Sequence, residues 1–317
     1  MTTGGYVTGS VTSRDGTRIA FRKLGHGSSL VLLHGGGQAA QNLMRLAEAL
    51  SSQFTVYIAE RRGRGASGPP GEGYGLQAEC DDVEALLLES GARYLFGLSA
   101  GALVALFAAR RLGSLDKVAL YEPPLSIGHS TPLGWLDRYD CEVAAGKLGS
   151  AMLTAIRGTE TAPLLLRVLP RALLAPVLDR GSRIIEPGTA PTLIRRIRRV
   201  VFWPLRRLAA GQTSRPAEHS GDVPLRELVP TMHYEAQLVS ESDGDAERFR
   251  DVTADVLLLG GSESARYLRE TLNVLGAVLP RVRRVEFAGE GHLAPDNSGS
   301  PERVATELRQ FFGAVQQ

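Results

Sequence analysis

Strand-length apolar runs alternate with helical patterns through the first 122 residues, break off, and begin again near residue 254. TRIAFRKL (17–24), SLVLLH (29–34), FTVYIAE (54–60), RYLFGL (93–98) and KVALYE (117–122) read as strands. Between them, LMRLAEAL (43–50), LQAECDDVEALLLES (76–90) and ALVALFAARRL (102–112) carry helical periodicity. Such alternation predicts an α/β chain, a mostly parallel sheet with helices on both faces. From about 123 to 250 no strand pattern is seen; Leu, Arg and Pro are frequent, and helical segments are broken by TAP, EPG and RPAE. ADVLLLGG (254–261), a helix near YLRETLNVLGAVL, the strand RRVEFAG and the helix PERVATELRQFF then restore the alternation. The expected organisation is a core of 1–122 and 251–317, with 123–250 inserted as a helical cap.

Charge excludes one class of partner. Against 34 Asp and Glu stand 36 Lys and Arg, a formal charge of +2, too near balance for a nucleic-acid surface covering the whole protein, so a small-molecule substrate is expected. No apolar stretch approaches the roughly 20 residues that span a bilayer. The first twenty residues lack the apolar run of a signal peptide, and only Cys80 and Cys141 are present, which makes the cytoplasm the expected compartment. No pair among the six histidines has zinc-site spacing, and neither a metal nor another cofactor is expected. A homodimer is left open.

The chemistry gathers at the ends of strand runs. Gly97-Leu98-Ser99-Ala100-Gly101 is a G-x-S-x-G that follows a hydrophobic strand and opens a helix, the context in which such a serine is a nucleophile. The bland alternative is a serine that helps cap the helix. His34-Gly35-Gly36-Gly37 directly follows SLVLLH. Acyl transfer places negative charge on the carbonyl oxygen, and backbone N–H groups of Gly36 and Ala100 are the expected donors to it. His34 is expected to order this loop rather than to act in catalysis. Of the six histidines, only His292, in Ala288-Gly289-Glu290-Gly291-His292-Leu293, follows the final strand run and precedes the final helix. It is the candidate general base. His233, in a predicted helix before the penultimate strand, is expected to pack or line a pocket, and His26, His129 and His219 to be solvated.

HGGG, the loop Glu60-Arg61-Arg62-Gly63-Arg64-Gly65-Ala66-Ser67, GLSAG and the terminal GxGH stand in an order that resembles the α/β-hydrolase superfamily from about residue 15 to the end, the insertion excepted. Glu60 stands where the family usually has Asp. The resemblance implies an α/β-hydrolase fold and a triad acid after the penultimate strand, in a pattern like G-D-x-D. Here that site reads Gly261-Ser262-Glu263-Ser264, and a serine cannot balance an imidazolium charge. Glu263 is one residue off; Asp251 and Asp255 lie at the entering end of the strand. The remaining candidate is Glu122, in Leu120-Tyr121-Glu122-Pro123-Pro124, at the end of the strand after the nucleophile helix. Certain haloalkane dehalogenases and fungal zearalenone lactone hydrolases are similar in placing a glutamate there. The expected triad is Ser99, His292 and Glu122, with Glu263 the competing acid.

The resemblance also implies that the insertion covers the strand ends and sets substrate choice. His34, Gly35, Leu98, Trp135, Trp203 and His233 are the candidate pocket residues, with Phe202 and Tyr234 as further aromatics. PTLIRRIRRVVFWPLRRL (191–208) reads as an amphipathic cap helix whose Arg195, Arg196, Arg198, Arg199, Arg206 and Arg207 form a solvated basic face, or one that attracts an anionic partner. The expected function is a cofactor-free serine hydrolase of an ester, lactone or thioester of a bulky apolar acid, working through an acyl-enzyme. Two alternatives stand beside it: a lyase, eliminase or cyclase on the same fold, using His292 and Glu122 without an acyl-enzyme, and a ligand-binding protein.

Overall fold

The computed structural model describes residues 5–162, 164–184 and 221–313. Its core is one eight-stranded sheet of order β1-β2-β4-β3-β5-β6-β7-β8. These strands are β1 (Val7–Thr12), β2 (Arg18–Gly25), β3 (Ser28–Leu33), β4 (Phe54–Ala59), β5 (Tyr94–Leu98), β6 (Lys117–Tyr121), β7 (Asp255–Gly261) and β8 (Val282–Phe287). β2 runs antiparallel to both β1 and β4, and the pairings from β4 through β3, β5, β6 and β7 to β8 are parallel. The fold is thus the expected mostly parallel α/β sheet. Central strands are apolar on both faces: β6 is buried at every residue and β7 at all but its first. That is the composition a doubly covered parallel sheet demands.

The helices are α1 (Met44–Leu50), α2 (Leu76–Ser90), α3 (Ala100–Arg111), α4 (Leu136–Ala144), α5 (Leu148–Gly158), α6 (Leu164–Val168), α7 (Arg171–Ile184), α8 (Leu225–Leu228), α9 (Met232–Glu241), α10 (Arg266–Val278) and α11 (Pro301–Gly313). One apolar cluster joins Val31, Leu95 and Val118 to α2 and α3 through Leu86, Leu103 and Leu106. The second joins Leu30, Phe96 and Leu257 to α1 and α11 through Leu46, Leu308 and Phe312. Two clusters on opposite faces follow from the alternation of side chains along each strand.

The chain divides into two compact units, residues 1–134 with 231–317, and residues 135–230. The regular elements among the described residues of the second are all helices. Inside it, Trp135 stacks edge-on against Tyr139, with ring centroids 5.4 Å apart, and a side chain at Gly158 would strike the Trp135 ring. Trp135 is therefore interior to its own unit. The predicted basic helix at 191–208, with Phe202 and Trp203, and His219 lie outside the described residues. Among the described residues no helix is long and apolar enough to cross a membrane.

Candidate active site

Register brings the chemistry to one edge of the sheet. Leu98 pairs with Tyr121 and Tyr121 with Leu259, so Ser99, Glu122 and Gly260 are the next positions on three adjacent parallel strands. Gly261 pairs with Phe287, after which the chain enters the loop that carries His292.

Ser99 sits at φ 54°, ψ −120°, between β5 and α3. A non-glycine residue at positive φ is strained, and the surroundings must hold it there. Two glycines allow this. A Cβ on Gly97 would lie 2.3 Å from the Gly101 carbonyl oxygen, and one on Gly101 would lie 2.5 Å from the carbonyl oxygens of Leu33 and His34. Helix and strands approach too closely for side chains at either position. The Ser99 N–H donates to Tyr121 O at 2.8 Å, tying this turn to the end of β6.

The next turn repeats the strain. Glu122 has φ 49° and is fully buried. Its N–H donates to Leu259 O at 3.1 Å, its Oε1 accepts the Gly261 N–H at 2.6 Å, and its Oε2 lies 2.6 Å from His292 Nδ1. A buried carboxylate with both oxygens committed has one orientation, and it is the orientation that faces the imidazole. The competing acids stand elsewhere. Glu263 is exposed, Asp251 pairs with Arg110 at 3.3 Å, and Asp255 with Arg281 at 2.8 Å. Ser264 is buried. The loop bearing His292 is fastened by Tyr121 Oη donating to Gly291 O at 2.8 Å and by the Glu263 N–H donating to Glu290 O at 2.9 Å. Among the described residues no hydrogen bond joins Ser99 to His292.

Beside Ser99 lies the loop after β3; a Cβ on Gly35 would stand 3.2 Å from the Ser99 Cβ. His34, fully buried, organises this loop. Its Nδ1–H donates to Gly35 O at 2.9 Å and its Nε2 accepts the Arg61 N–H at 3.3 Å, which sets the tautomer. Burial and the neighbouring Arg61 and Arg64 charges hold its pKa well below the usual histidine range, so the ring is neutral. Across the peptide that carries the Gly35 carbonyl, the Gly36 N–H points the opposite way. Neither the Gly36 nor the Ala100 N–H donates a hydrogen bond among the described residues.

A buried ion network supports the same loop. The Arg61 guanidinium makes two hydrogen bonds to Glu79, at 2.8 and 3.0 Å, and two to the Glu235 carboxylate, at 3.1 and 3.3 Å, while Arg64 Nη2 also donates to Glu235. Burial opposes the Glu79 charge, but Arg61 overrides it and holds that carboxyl below the ordinary range. Glu235 comes from α9, and its Cγ would lie 2.9 Å from a Cβ on Gly36. The sequence does not single out Glu235, Gln38 or Asp296. The signal for Glu235 is a charge on the apolar face of TMHYEAQLV, beside Ala236, Leu238 and Val239. Of the remaining pocket candidates, Leu98 is buried in the second apolar cluster, and His233 is exposed with its ring edge-on to Tyr234. His26 is exposed; His129, 91% exposed, pairs with Asp243 at 3.1 Å.

A sequence model of the alpha/beta hydrolase family matches residues 30–307. The chain is 34% identical over 95 residues to an uncharacterised hydrolase, YraK, of Bacillus subtilis, a match that covers 29% of this chain and about a third, 35%, of that protein. An alpha/beta hydrolase from Sphaerobacter thermophilus superposes with a TM-score of 0.68 at 24% identity, covering 96% of this chain and 100% of that one. The esterase RhEst1 from a Rhodococcus species superposes with a TM-score of 0.63 at 20% identity, covering 98% and 99%. At these identities the superpositions speak for the fold.

Proposed function

Because the chain belongs to the alpha/beta hydrolase family, we propose that it is a serine hydrolase cleaving a carboxylic ester, lactone or thioester through an acyl-enzyme. The observation that carries this reading is the buried Glu122 carboxylate 2.6 Å from His292 Nδ1, at the sheet edge where Ser99 occupies its strained turn. In the proposed sequence, Ser99 Oγ attacks the substrate carbonyl carbon while His292 Nε2 takes the hydroxyl proton. Glu122 keeps Nδ1 protonated and stabilises the imidazolium. The carbonyl oxygen, now anionic, accepts from the Gly36 and Ala100 N–H groups. Collapse expels the alcohol or thiol, protonated by His292, and water then attacks the acyl-enzyme with His292 again as base, releasing the acid and restoring Ser99. A bulky apolar acyl group is favoured by the composition of residues 123–250, rich in Leu and carrying Phe202 and Trp203.

A fluorophosphonate probe tests the reading directly. The native protein is expected to carry one adduct, mapped by peptide mass spectrometry to Ser99, and Ser99→Ala to carry none. A native protein that turns over activated esters without an adduct at Ser99 would contradict it.

A further inference from the structure

Gln38 directly follows the HGGG loop and is buried, although a neutral amide is costly to bury unless all its groups are paired. Here both ends are used. Its Oε1 accepts the Gly35 N–H at 2.9 Å, and its Nε2 donates to Asp296 Oδ2 at 2.8 Å. Asp296 lies four residues beyond His292 on the same loop and is itself buried. Its carboxylate also accepts from Asn42 Nδ2 at 3.0 Å and from the Ser298 N–H and Oγ at 2.7 and 2.6 Å, so its orientation is fixed. The carboxylate in turn fixes the Gln38 amide, since a flipped amide would turn its oxygen towards Asp296 and its NH₂ towards an N–H donor.

Gly35 is thereby held on both sides. Gln38 fixes its N–H, and His34 Nδ1–H fixes its carbonyl, whose peptide plane carries the Gly36 N–H. We propose that Gln38, anchored by Asp296, is a positioning residue that aims the Gly36 N–H at the oxyanion and couples the loop of the general base to the loop of the oxyanion hole. The proposal rests on the serine-hydrolase reading above. The two loops have further ties, with the Asn297 N–H donating to Asn42 O at 2.9 Å and Asn297 Nδ2 to Gln41 O at 2.6 Å. Gln38 variants therefore keep the loops docked and lose only the aim.

The test titrates active sites with a fluorophosphonate and measures kcat per titrated site, KM for a p-nitrophenyl ester, and melting temperature. Gln38→Leu and Gln38→Glu are expected to lower kcat per site by about tenfold to a hundredfold, with KM changed by less than about twofold, because misdirecting a donor weakens the transition state more than the ground state. The double variant Gln38→Glu with Asp296→Asn reverses the polarity of the link: the introduced amide donates to the introduced carboxylate, which still accepts from Gly35, while the acceptor for Asn42 Nδ2 is given up. It is expected to recover part of the loss, a coupling that a merely structural role would not produce. An unchanged kcat per site in Gln38→Leu, a loss that appears in KM alone, or a double variant no better than Gln38→Glu overturns the proposal. A wild-type protein that takes no adduct at Ser99 overturns the serine-hydrolase reading and this proposal with it, so the two failures are told apart.

Discussion

His34 shows how one buried side chain can organise a loop, joining the Gly35 carbonyl to the Arg61 N–H. It is neutral because burial and two arginines disfavour its charge, and only the neutral ring accepts the Arg61 N–H while donating to Gly35. Its folded-state pKa lies well below the ordinary value of about 6.5, so above that pH neither folded nor unfolded chain holds the proton and the contribution to stability is complete. As pH falls below about 6.5 the unfolded chain binds a proton that the folded chain refuses, and stability is lost at up to about 1.4 kcal/mol per pH unit. Urea unfolding at pH 7.5, 6.5 and 5.5 is expected to show this decline, and His34→Asn, which retains a donor for Gly35 and does not titrate, to flatten it. Equal slopes in both proteins would remove His34 from the account. That HGGG marks a loop at a strand end is legible from sequence; that its histidine is a buried neutral link is not, because the arginine pair reaches it from 27 and 30 residues away.

Elements meet at this edge through charge as well as apolar contact. Helix α9 delivers Glu235 between Arg61 and Arg64, and through Glu235 it rests against the Gly36 turn. Glu235→Ala would leave Arg64 with only its Arg62 carbonyl contact and would strip Arg61 of one of its two carboxylate partners. Removing one partner of such a buried set costs about 3–5 kcal/mol. Denaturant midpoints are expected to show a loss of that order for Glu235→Ala and less for Glu235→Gln, which retains an acceptor. The loop ERRGRGAS is recognisable as a motif, but its partners Glu79 and Glu235 lie far along the chain, and periodicity carries no information about which charges meet. Strand β1 is hidden for another reason: VTGSVT is short, interrupted by glycine and exposed at most positions, with none of the apolar alternation that betrays a half-buried strand. The central strands, by contrast, declare themselves through unbroken apolar runs.

At the scale of the molecule, the site exists only because the sheet places the ends of β5, β6 and β8 close together, uniting residues separated by 23 and 170 positions. The strand-helix alternation makes that edge legible, and with it Ser99 and His292. The choice between Glu122 and Glu263 rests on side-chain direction at the strand ends, which depends on backbone angles that no local pattern announces. The boundaries of the insertion are likewise indistinct in the sequence: the second unit is 135–230, while the flanking residues 123–134 and α9 fold with the sheet. The central claim is that the acid of the triad stands after β6. Its most direct measurement is kcat/KM for an activated ester, per correctly folded molecule, in Glu122→Gln and Glu263→Gln. The account predicts a fall of about a thousandfold or more for Glu122→Gln, as expected when a triad carboxylate loses its charge, and a change of less than about twofold for Glu263→Gln. Full activity in Glu122→Gln, or the large loss in Glu263→Gln instead, would contradict it.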